Sequence, residues 1–498
     1  MTAVLEHAGR RDVENTPKSG LRRALSETPN QLTLLTVALV LLGLLLGVVS
    51  ALGLLRDSSS LSSLKARTTE VSATSDLYYR LNDMDAQAAN LLLVGYHPAS
   101  GFQVPPSVDA QASAKTYNAD RSAADADLAQ IAENPSLNAQ ASKLLDTLGS
   151  YEADIADAFY IDDQVASQKP ATPPAGAISA YETASGILDS SMLPASLQIT
   201  TQDSNEVNGS YSSDHSAISL FGYLTFVLAL LTVLALLLGN RYYARRFRRR
   251  LSLLAVGAVV ALVAGVLGLS TQLSEANHLQ VAKQSAYDSI FALDRAQAVS
   301  DDANADESRW LLENLDPAKQ TSFFTEVSQV AGVQGVSAGA AAANPSSYYT
   351  ALSTAVGALQ PNSSADTVSG VTIKGFLGTE LGNVTFPGEA EAAYTAAQDF
   401  NAYIQDDGKI RADAEAGNLA GAVSVDIGLS SGQSNYDFNK YMTALGQVIQ
   451  IYTQGFDSAV SAGQSGLGAT GWAELLVAEL LLLALVTQAG YLRLREYR

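Results

Sequence analysis

Four long apolar runs divide the chain into alternating apolar and polar blocks. The first three runs carry no charged side chain and the fourth carries two glutamates; they cover residues 32–55, 217–239, 251–271 and 472–492. A helix rises about 1.5 Å per residue, so each run is long enough to cross a hydrocarbon core of about 30 Å. The pattern predicts four transmembrane helices, with two long polar segments at residues 56–216 and 272–471.

Charge is distributed unevenly over these blocks, within a formal net charge of −20. Residues 1–31, 240–250 and 493–498 together carry 14 Lys and Arg against 5 Asp and Glu. Residues 56–216 carry 8 basic and 21 acidic side chains, and residues 272–471 carry 8 and 22. Lys and Arg beside a span resist translocation. The charges therefore predict a membrane protein with both termini in the cytoplasm and both acidic segments outside; the resemblance described below implies that this membrane is a bacterial plasma membrane.

The two polar segments have helical patterns that begin without interruption. Neither Gly nor Pro occurs between Leu54 and Val94 or between Leu269 and Asp316. The first and third spans are therefore predicted to continue as helical rods well beyond the membrane.

Gly and Pro breaks then divide each polar segment. Breaks at 95–106, 134–135 and 169–176 leave four helices in the first segment, which is typical of a four-helix bundle. The second segment repeats the plan, with a stretch at 367–388 that favours a β-hairpin or ordered loop. The predicted fold class is an all-α membrane protein with four transmembrane helices and two extracytoplasmic helical bundles.

Two stretches that lead back to the membrane are predicted to be loose. In the first segment, Pro194 and the sequence Asn208-Gly209-Ser210 should loosen the returning helix. In the second, the glycine-rich residues 461–471 favour a flexible connector. This connector also contains a G-x-G-x-x-G match, which needs a preceding strand to bind a dinucleotide and is better explained as a hinge.

No pattern along the chain favours an enzyme. The four histidines, His7, His97, His215 and His278, are far apart and have no second His or Cys at ligand spacing. We find no phosphate-binding loop and no nucleophile elbow. The sequence therefore predicts no catalytic residue, no metal and no cofactor, and the acidic surface argues against nucleic acid as a partner.

The stretch after the third span combines many charges with an apolar stripe marked by Ile290, Leu293 and Leu311. Polar groups on a bundle stripe either fix helix register or line a ligand site between helices. Both interpretations stay open here. The candidate ligand or partner surface comprises Arg295, Asn304, Glu307, Arg309 and Trp310, together with Asp85 at a similar position on the first long helix.

Glu479 lies inside the fourth span. An ionisable group at that depth costs a few kcal/mol, so it should face protein or water. It is either a coupling or proton-linked site, or a polar contact with a Ser or Thr of another span.

The basic loop at residues 240–250 holds six arginines in eleven residues. Membrane topology alone explains this charge, and docking of a cytoplasmic partner or lipid headgroups is an additional hypothesis. The candidate docking residues are Arg241, Arg245, Arg246, Arg248, Arg249 and Arg250.

Each half of the chain, with its span, external bundle and second span, is similar to the sensor part of bacterial chemoreceptors. The doubled arrangement, with the Ala- and Asp-rich residues 301–312, resembles the GlnX-type membrane proteins of actinobacteria over essentially the whole chain. That resemblance implies an extracytoplasmic glutamine-binding-type lipoprotein and a soluble Ser/Thr kinase, kinase G, as partners. It implies a role in reporting amino-acid availability and assigns no individual residue.

The preferred hypothesis is a non-enzymatic transmembrane sensor or signal relay whose output is made by a cytoplasmic partner. A structural or accessory subunit of an envelope assembly or exporter is the alternative. Ligand-dependent behaviour of the external segments distinguishes the two. Homodimer formation is left open by the sequence.

Overall fold

The structure is a computed structural model that describes residues 28–95, 108–164, 172–247, 252–466 and 469–495. Apart from one pair of three-residue strands, its regular elements in these ranges are helices. The predicted all-α membrane fold is therefore confirmed.

The described residues of the first half form five helices, with a π-helical turn at Leu188–Met192 between the fourth and fifth. These helices are α1 Thr28–Val94, α2 Val108–Ile131, α3 Asn138–Asp163, α4 Ala175–Ile187 and α5 Leu193–Phe247.

The second half contains ten helices in its described residues, and a π-helical stretch at Val281–Tyr287 joins the first two. The helices are α6 Ser252–Gln280, α7 Asp288–Leu312, α8 Pro317–Val330, α9 Ala338–Ala343, α10 Pro345–Gly357, α11 Gly375–Gly382, α12 Glu389–Glu415, α13 Leu419–Asp426, α14 Ser434–Gly466 and α15 Ala469–Arg495.

Four stretches of described helix are long and apolar enough to cross a membrane, as predicted. They lie within Pro29–Thr68, Ala175–Arg245, Leu253–Leu312 and Ser434–Arg495. These ranges are 40 to 71 residues long, whereas a span needs about 20 residues. Only the apolar parts named above are therefore treated as membrane-spanning. The four apolar helices indicate a multi-pass membrane protein, and its orientation stays a prediction.

The chain divides into two compact units. Unit 1 comprises Met1–Ser58, Ser216–Ala276 and Gln464–Arg498, and unit 2 comprises Ser59–His215 and Asn277–Gly463. We call Ser59–His215 the first segment of unit 2 and Asn277–Gly463 its second segment. The sequence pattern predicts a separate bundle for each polar segment, whereas the structure packs the two together.

One hydrophobic core runs through both segments of unit 2. Leu81 and Leu92 of α1 are buried in the same cluster as Trp310, Ile410 and Val423 of the second segment. Separating the segments would return this apolar surface to water, at about 25 cal/mol per Å². A shared core explains why the two segments form one unit.

Unit 1 has its own core, formed by the apolar stretches. Leu39 and Leu46 of α1 pack in one cluster with Leu236 of α5, Leu254 of α6 and Leu482 of α15. Many other leucines of these stretches are exposed, as expected of helices that face lipid.

The predicted loosening of the first return is wrong, because α5 runs unbroken from Leu193 to Phe247. Pro194 follows the π-helical turn Leu188–Met192 within the continuous helical stretch Ala175–Arg245. The hydrogen bond that a proline cannot donate therefore falls where the α-helical pattern is already interrupted. Gly209 lies in the helix interior, where glycine costs about 1 kcal/mol relative to alanine. Burial of neighbours such as Val207, which is 1% exposed, stabilises the helix against that cost.

The predicted flexible connector at 461–471 is also largely helical. α14 continues to Gly466 and α15 begins at Ala469, while residues 467–468 lie outside the described residues. Gly463 is buried, so here a glycine permits close packing. The element before the G-x-G-x-x-G match is thus a helix, and the fingerprint requires a strand.

A small hairpin occurs in the second segment, but it begins earlier than predicted. β1, Gln360–Asn362, pairs antiparallel with β2, Thr367–Ser369. Only β2 falls within residues 367–388, and much of the remainder forms α11. A strand of three polar residues shows no alternation of apolar and polar positions, which explains why the sequence pattern does not predict β1.

Candidate functional site

The helix α7 is buried on almost every side within unit 2. Every residue from Ala303 to Leu312 is buried, including five polar or charged ones. Burying such groups costs free energy unless each finds hydrogen-bonding partners. The partners of α7 therefore define the polar interior of unit 2.

Arg309 forms the central ion pair of that interior. Its Nε and Nη2 atoms both lie 2.8 Å from Asp85 Oδ2. Tyr151 donates a hydrogen bond to Asp85 Oδ1 at 2.8 Å, and Tyr181 donates to Oδ2 at 2.7 Å. The side chains of Arg309 and Asp85 are 1% and 0% exposed. Because these groups come from α1, α3, α4 and α7, the pair joins the two segments.

Further carboxylates surround the other side of the guanidinium. Arg309 Nη1 donates to Asp306 at 2.8 Å and to Asp302 at 3.2 Å. Lys319 Nζ lies 3.8 Å from Asp306 and 3.2 Å from Asp189. Arg309 is enclosed by anionic partners of its own protein, which suits a structural tie better than an open ligand site.

A second cluster of polar side chains packs against α7, around Glu307 and Ser308. Ser434 donates to Glu307 Oε2 at 2.5 Å, and Ser308 Oγ lies 3.2 Å from Asp426. Burial, followed by nearby carboxylates, raises the pKa of Glu307 well above its ordinary value. Burial also raises the pKa of Asp426 to about 7. Loss of water makes the charged carboxylate costly, so these acids hold protons more strongly than exposed ones.

Trp310 packs beneath an arginine of α12. The Cζ atom of Arg411 lies 4.4 Å from the centre of the Trp310 ring, and its Nε donates to Asp407 at 3.0 Å. A guanidinium over an indole face is a favourable cation–π contact. Trp310 is 3% exposed, so it stabilises the interior of unit 2.

A cleft opens beside the earlier turns of α7, with a volume of about 180 Å³. Both segments of unit 2 form it, through α1 and α5 of the first and α7 and α8 of the second. We call it the junction cleft. Its lining residues are Ser75, Tyr78, Leu197, Thr200, Phe291, Asp294, Arg295, Ala298, Val299, Asp302, Glu326 and Gln329.

The junction cleft combines one basic residue with three acids. Burial and then repulsion from Asp76 raise the pKa of Asp294 to about 8. Burial raises the pKa of Asp302 to about 7. Burial, followed by repulsion from Asp302, raises the pKa of Glu326 well above its ordinary value. A cationic group in the cleft would favour the ionised acids. With Arg295 available for a carboxylate, the lining suits a small amine or zwitterion.

The structure separates the six predicted ligand or partner residues into two groups. Arg295 lines the junction cleft and is exposed. The other five are at most 4% exposed and do not form an outer surface, because the two segments pack over them; they are Asp85, Asn304, Glu307, Arg309 and Trp310. A role in ligand binding stays a prediction for all six.

The sequence pattern missed several residues that the structure brings to this region. Phe291, Asp294, Ala298 and Asp302 are spaced three or four apart, so one face of α7 could have been recognised as a lining face. Glu326 belongs to a separate helix and gave no comparable signal. Tyr151 and Tyr181, which donate hydrogen bonds to Asp85, gave no sequence signal either, because they lie far from Asp85 in the chain.

The basic loop is described only in part. Arg241 and Arg245 are exposed near the end of α5, and the backbone of Arg246 belongs to the same helix. Arg248, Arg249 and Arg250 lie outside the described residues. Docking of a cytoplasmic partner or lipid at this loop stays a prediction.

The fold and the cleft define a multi-pass helical membrane protein that also contains a unit built from two polar segments. Residues 60–212, almost all of the first segment, match a family model described as an actinobacterial sensor domain. No curated protein sequence and no solved structure matches the chain significantly. The match supports an actinobacterial sensor, and it covers less than a third of the 498 residues.

Proposed function

We propose that this protein is an integral membrane sensor that binds a small amino-bearing ligand in the junction cleft. The observation that carries the proposal is the composition of that cleft. Arg295 faces the same space as Asp294, Asp302 and Glu326, beside apolar side chains. An amino acid offers a carboxylate to the guanidinium and an ammonium group to the acids.

A ligand in this position would touch both segments at once. Ser75 and Thr200 belong to α1 and α5, whose other parts include the first and second spans. A small shift of packed helices is a known route from a ligand site to a distant output. Movement of α1 and α5 would thus change the cytoplasmic ends of the spans, where the arginine-rich loop begins.

The partners follow from the resemblance described above. The signal is an extracytoplasmic nutrient, sensed directly or delivered by a solute-binding lipoprotein. A cytoplasmic Ser/Thr kinase, which that resemblance implies, reads the output. Under this proposal the protein itself is not an enzyme.

Thermal unfolding of the full-length protein in lipid nanodiscs tests the proposal. A panel of amino acids is added, alone and with a candidate solute-binding protein. A ligand at a hundred times its Kd should add about 2.7 kcal/mol to the free energy of unfolding. A rise in Tm with a free amino acid supports direct sensing, and a rise only with the loaded binding protein supports a relay.

A matched pair of variants locates the effect. Arg295→Gln should abolish the ligand-dependent rise in Tm. Arg121→Gln, at an exposed arginine of α2 that lies 4.0 Å from Glu152, should keep it. If folded wild-type protein shows no ligand-dependent rise under any condition, the sensor proposal fails and an envelope scaffold becomes the better explanation.

A further inference from the structure

A small polar cavity lies inside unit 1, among the membrane-spanning stretches, with a volume of about 70 Å³. Its polar lining comes from four helices. Ser50 belongs to α1, Thr225 to α5, Thr271 and Gln272 to α6, and Glu474 and Glu479 to α15. A polar cavity larger than about 15 Å³ with two to four polar partners can hold water, so this one has room for an ion and water.

Two glycines of α1 make space for the Glu479 carboxyl group. A Cβ atom at Gly47 would lie 2.7 Å from Glu479 Cδ, and one at Gly43 would lie 3.9 Å from its Oε1. Gly43 and Gly47 have the small-xxx-small spacing that lets membrane helices approach closely. Any larger residue at position 47 would displace the carboxyl group from the cavity.

Three oxygen atoms of the lining have no hydrogen-bond partner in the structure. They are Glu479 Oε1, Gln272 Oε1 and Thr225 Oγ1. Thr225 is 1% exposed and Gln272 is 2% exposed, so bulk water does not satisfy them. Ser50 donates its proton to Leu46 O at 2.9 Å, which leaves its oxygen lone pairs available.

The charge of Glu479 has no basic counterpart in this lining, since the residues described around the cavity include neither Lys nor Arg. A carboxylate at membrane depth must be neutralised or paired. A single proton on Glu479 can bond only one of the other oxygens. A small cation with its water can contact several oxygens at once, as in the coupling-ion sites of membrane transporters.

We propose that this cavity binds a hydrated Na⁺ ion, with Glu479 as the compensating charge and Thr225 and Gln272 as neutral oxygen donors. Of the two carboxylates in the lining, Glu474 is exposed, whereas Glu479 is half-buried and its Oε1 atom is buried. One positive charge therefore matches the one shielded carboxylate, and a divalent ion would leave an excess charge within the membrane. Clusters of three or more His, Cys, Asp or Glu with metal-site geometry are absent from the described residues. Hydroxyl and amide oxygens with one carboxylate form a different donor set, which suits a hard monovalent cation.

Thermal unfolding of the full-length protein in nanodiscs, in NaCl against choline chloride of equal ionic strength, tests this site. Wild-type protein should show a saturable rise in Tm that is specific to Na⁺. Glu479→Gln should remove the rise. Equal Tm values in the two salts would overturn the proposal, and so would a stability that follows pH but not Na⁺, which would identify a proton as the occupant.

A second pair of variants keeps the test valid if Glu479→Gln fails to fold. Thr225→Val should weaken Na⁺ binding by about tenfold or more, as loss of a supporting group does at other metal sites. Thr232→Val is the matched control, because Thr232 lies on the same helix, donates to Leu228 O at 2.8 Å and does not line the cavity. An equal Na⁺ response in both threonine variants would contradict the assigned donors.

Discussion

The helices α1 and α7 occupy comparable places in the two segments of unit 2, yet they bury different side chains. α1 buries mainly apolar residues, among them Leu77, Leu81 and Leu92, together with the carboxylate of Asp85 and the amides of Asn82 and Asn90. α7 buries Asp306, Glu307 and other polar residues along its last turns. Both helices belong to the same unit, so the difference does not come from exposure.

This difference shows that the two segments depend on each other. The buried carboxylate of Asp85 on α1 finds its basic partner on α7, at 2.8 Å. In turn, Arg309 of α7 needs Asp85 of α1, whose other hydrogen bonds come from Tyr151 of α3 and Tyr181 of α4. An aliphatic face can be buried by almost any apolar neighbour, whereas a buried charge requires a specific one.

Arg309→Met is the largest expected perturbation of this arrangement. It leaves Asp85 buried without its partner, which should lower the free energy of unfolding by about 3–5 kcal/mol. Replacing both, as Asp85→Leu with Arg309→Met, should recover much of the loss. Denaturant unfolding followed by circular dichroism measures both, and a double variant no more stable than the singles would contradict the interpretation.

Tyr181→Phe should have the next largest effect. It removes one hydrogen bond to the buried Asp85 carboxylate, and such bonds to charged groups contribute about 1.5–3 kcal/mol. Tyr160→Phe is the control, because Tyr160 is 66% exposed and should change stability by less than about 0.5 kcal/mol. Equal denaturation midpoints for the two variants would argue against the network.

The pH dependence of ligand-free protein sharpens the comparison further. Burial raises the pKa of Asp294 to about 8 and that of Asp302 to about 7, so the folded state binds more protons than the unfolded state between pH 4 and these values. Their contribution to stability is therefore present below about pH 4 and is lost as pH rises through 7 to 8.

We measure the denaturation midpoint between pH 5 and 8.5. In the Asp294→Asn variant, the midpoint should fall less steeply in the upper part of this range than in the wild-type protein. Asp157→Asn, at an exposed position on α3, should leave the profile unchanged. If the denaturation midpoint of the wild-type protein instead rises between pH 5 and 8.5, the predicted direction of the pH dependence is wrong.

The smallest expected loss of stability comes from breaking an exposed ion pair, which also joins the two segments. Lys65 Nζ lies 2.9 Å from Asp457 Oδ1, with the two side chains 56% and 53% exposed. Lys65→Ala should cost less than about 1 kcal/mol, because water screens such pairs. A loss as large as that of Arg309→Met would mean that burial is not what distinguishes the two ion pairs.

Much of the fold could be predicted from local pattern. The four spans follow from apolar length, and the long helix α1 follows from the absence of Gly and Pro after Leu54. Where prediction failed, tertiary packing overrode local propensity, as at Gly209 within α5. The union of the two polar segments could not be predicted, because a four-helix pattern in each is compatible with separate bundles.

The candidate site was predicted only in part. The sequence pattern places Asp85, Asn304 and Glu307 on or beside apolar stripes, and it places Arg295 and Arg309 on the same helix as the last two. The pairing of Asp85 with Arg309 spans 224 positions in the chain, and no local spacing encodes it. The acids of the junction cleft, such as Glu326, come from separate helices for the same reason.

Hydrogen exchange of the full-length protein, with and without the first amino acid that raises Tm, tests the central claim most directly. The claim is that one ligand contacts both segments of unit 2 at the junction cleft. Protection should then increase together around Ser75 and Thr200 in the first segment and around Arg295 and Glu326 in the second. Protection confined to one segment, or no change at the cleft with any compound, would contradict the account.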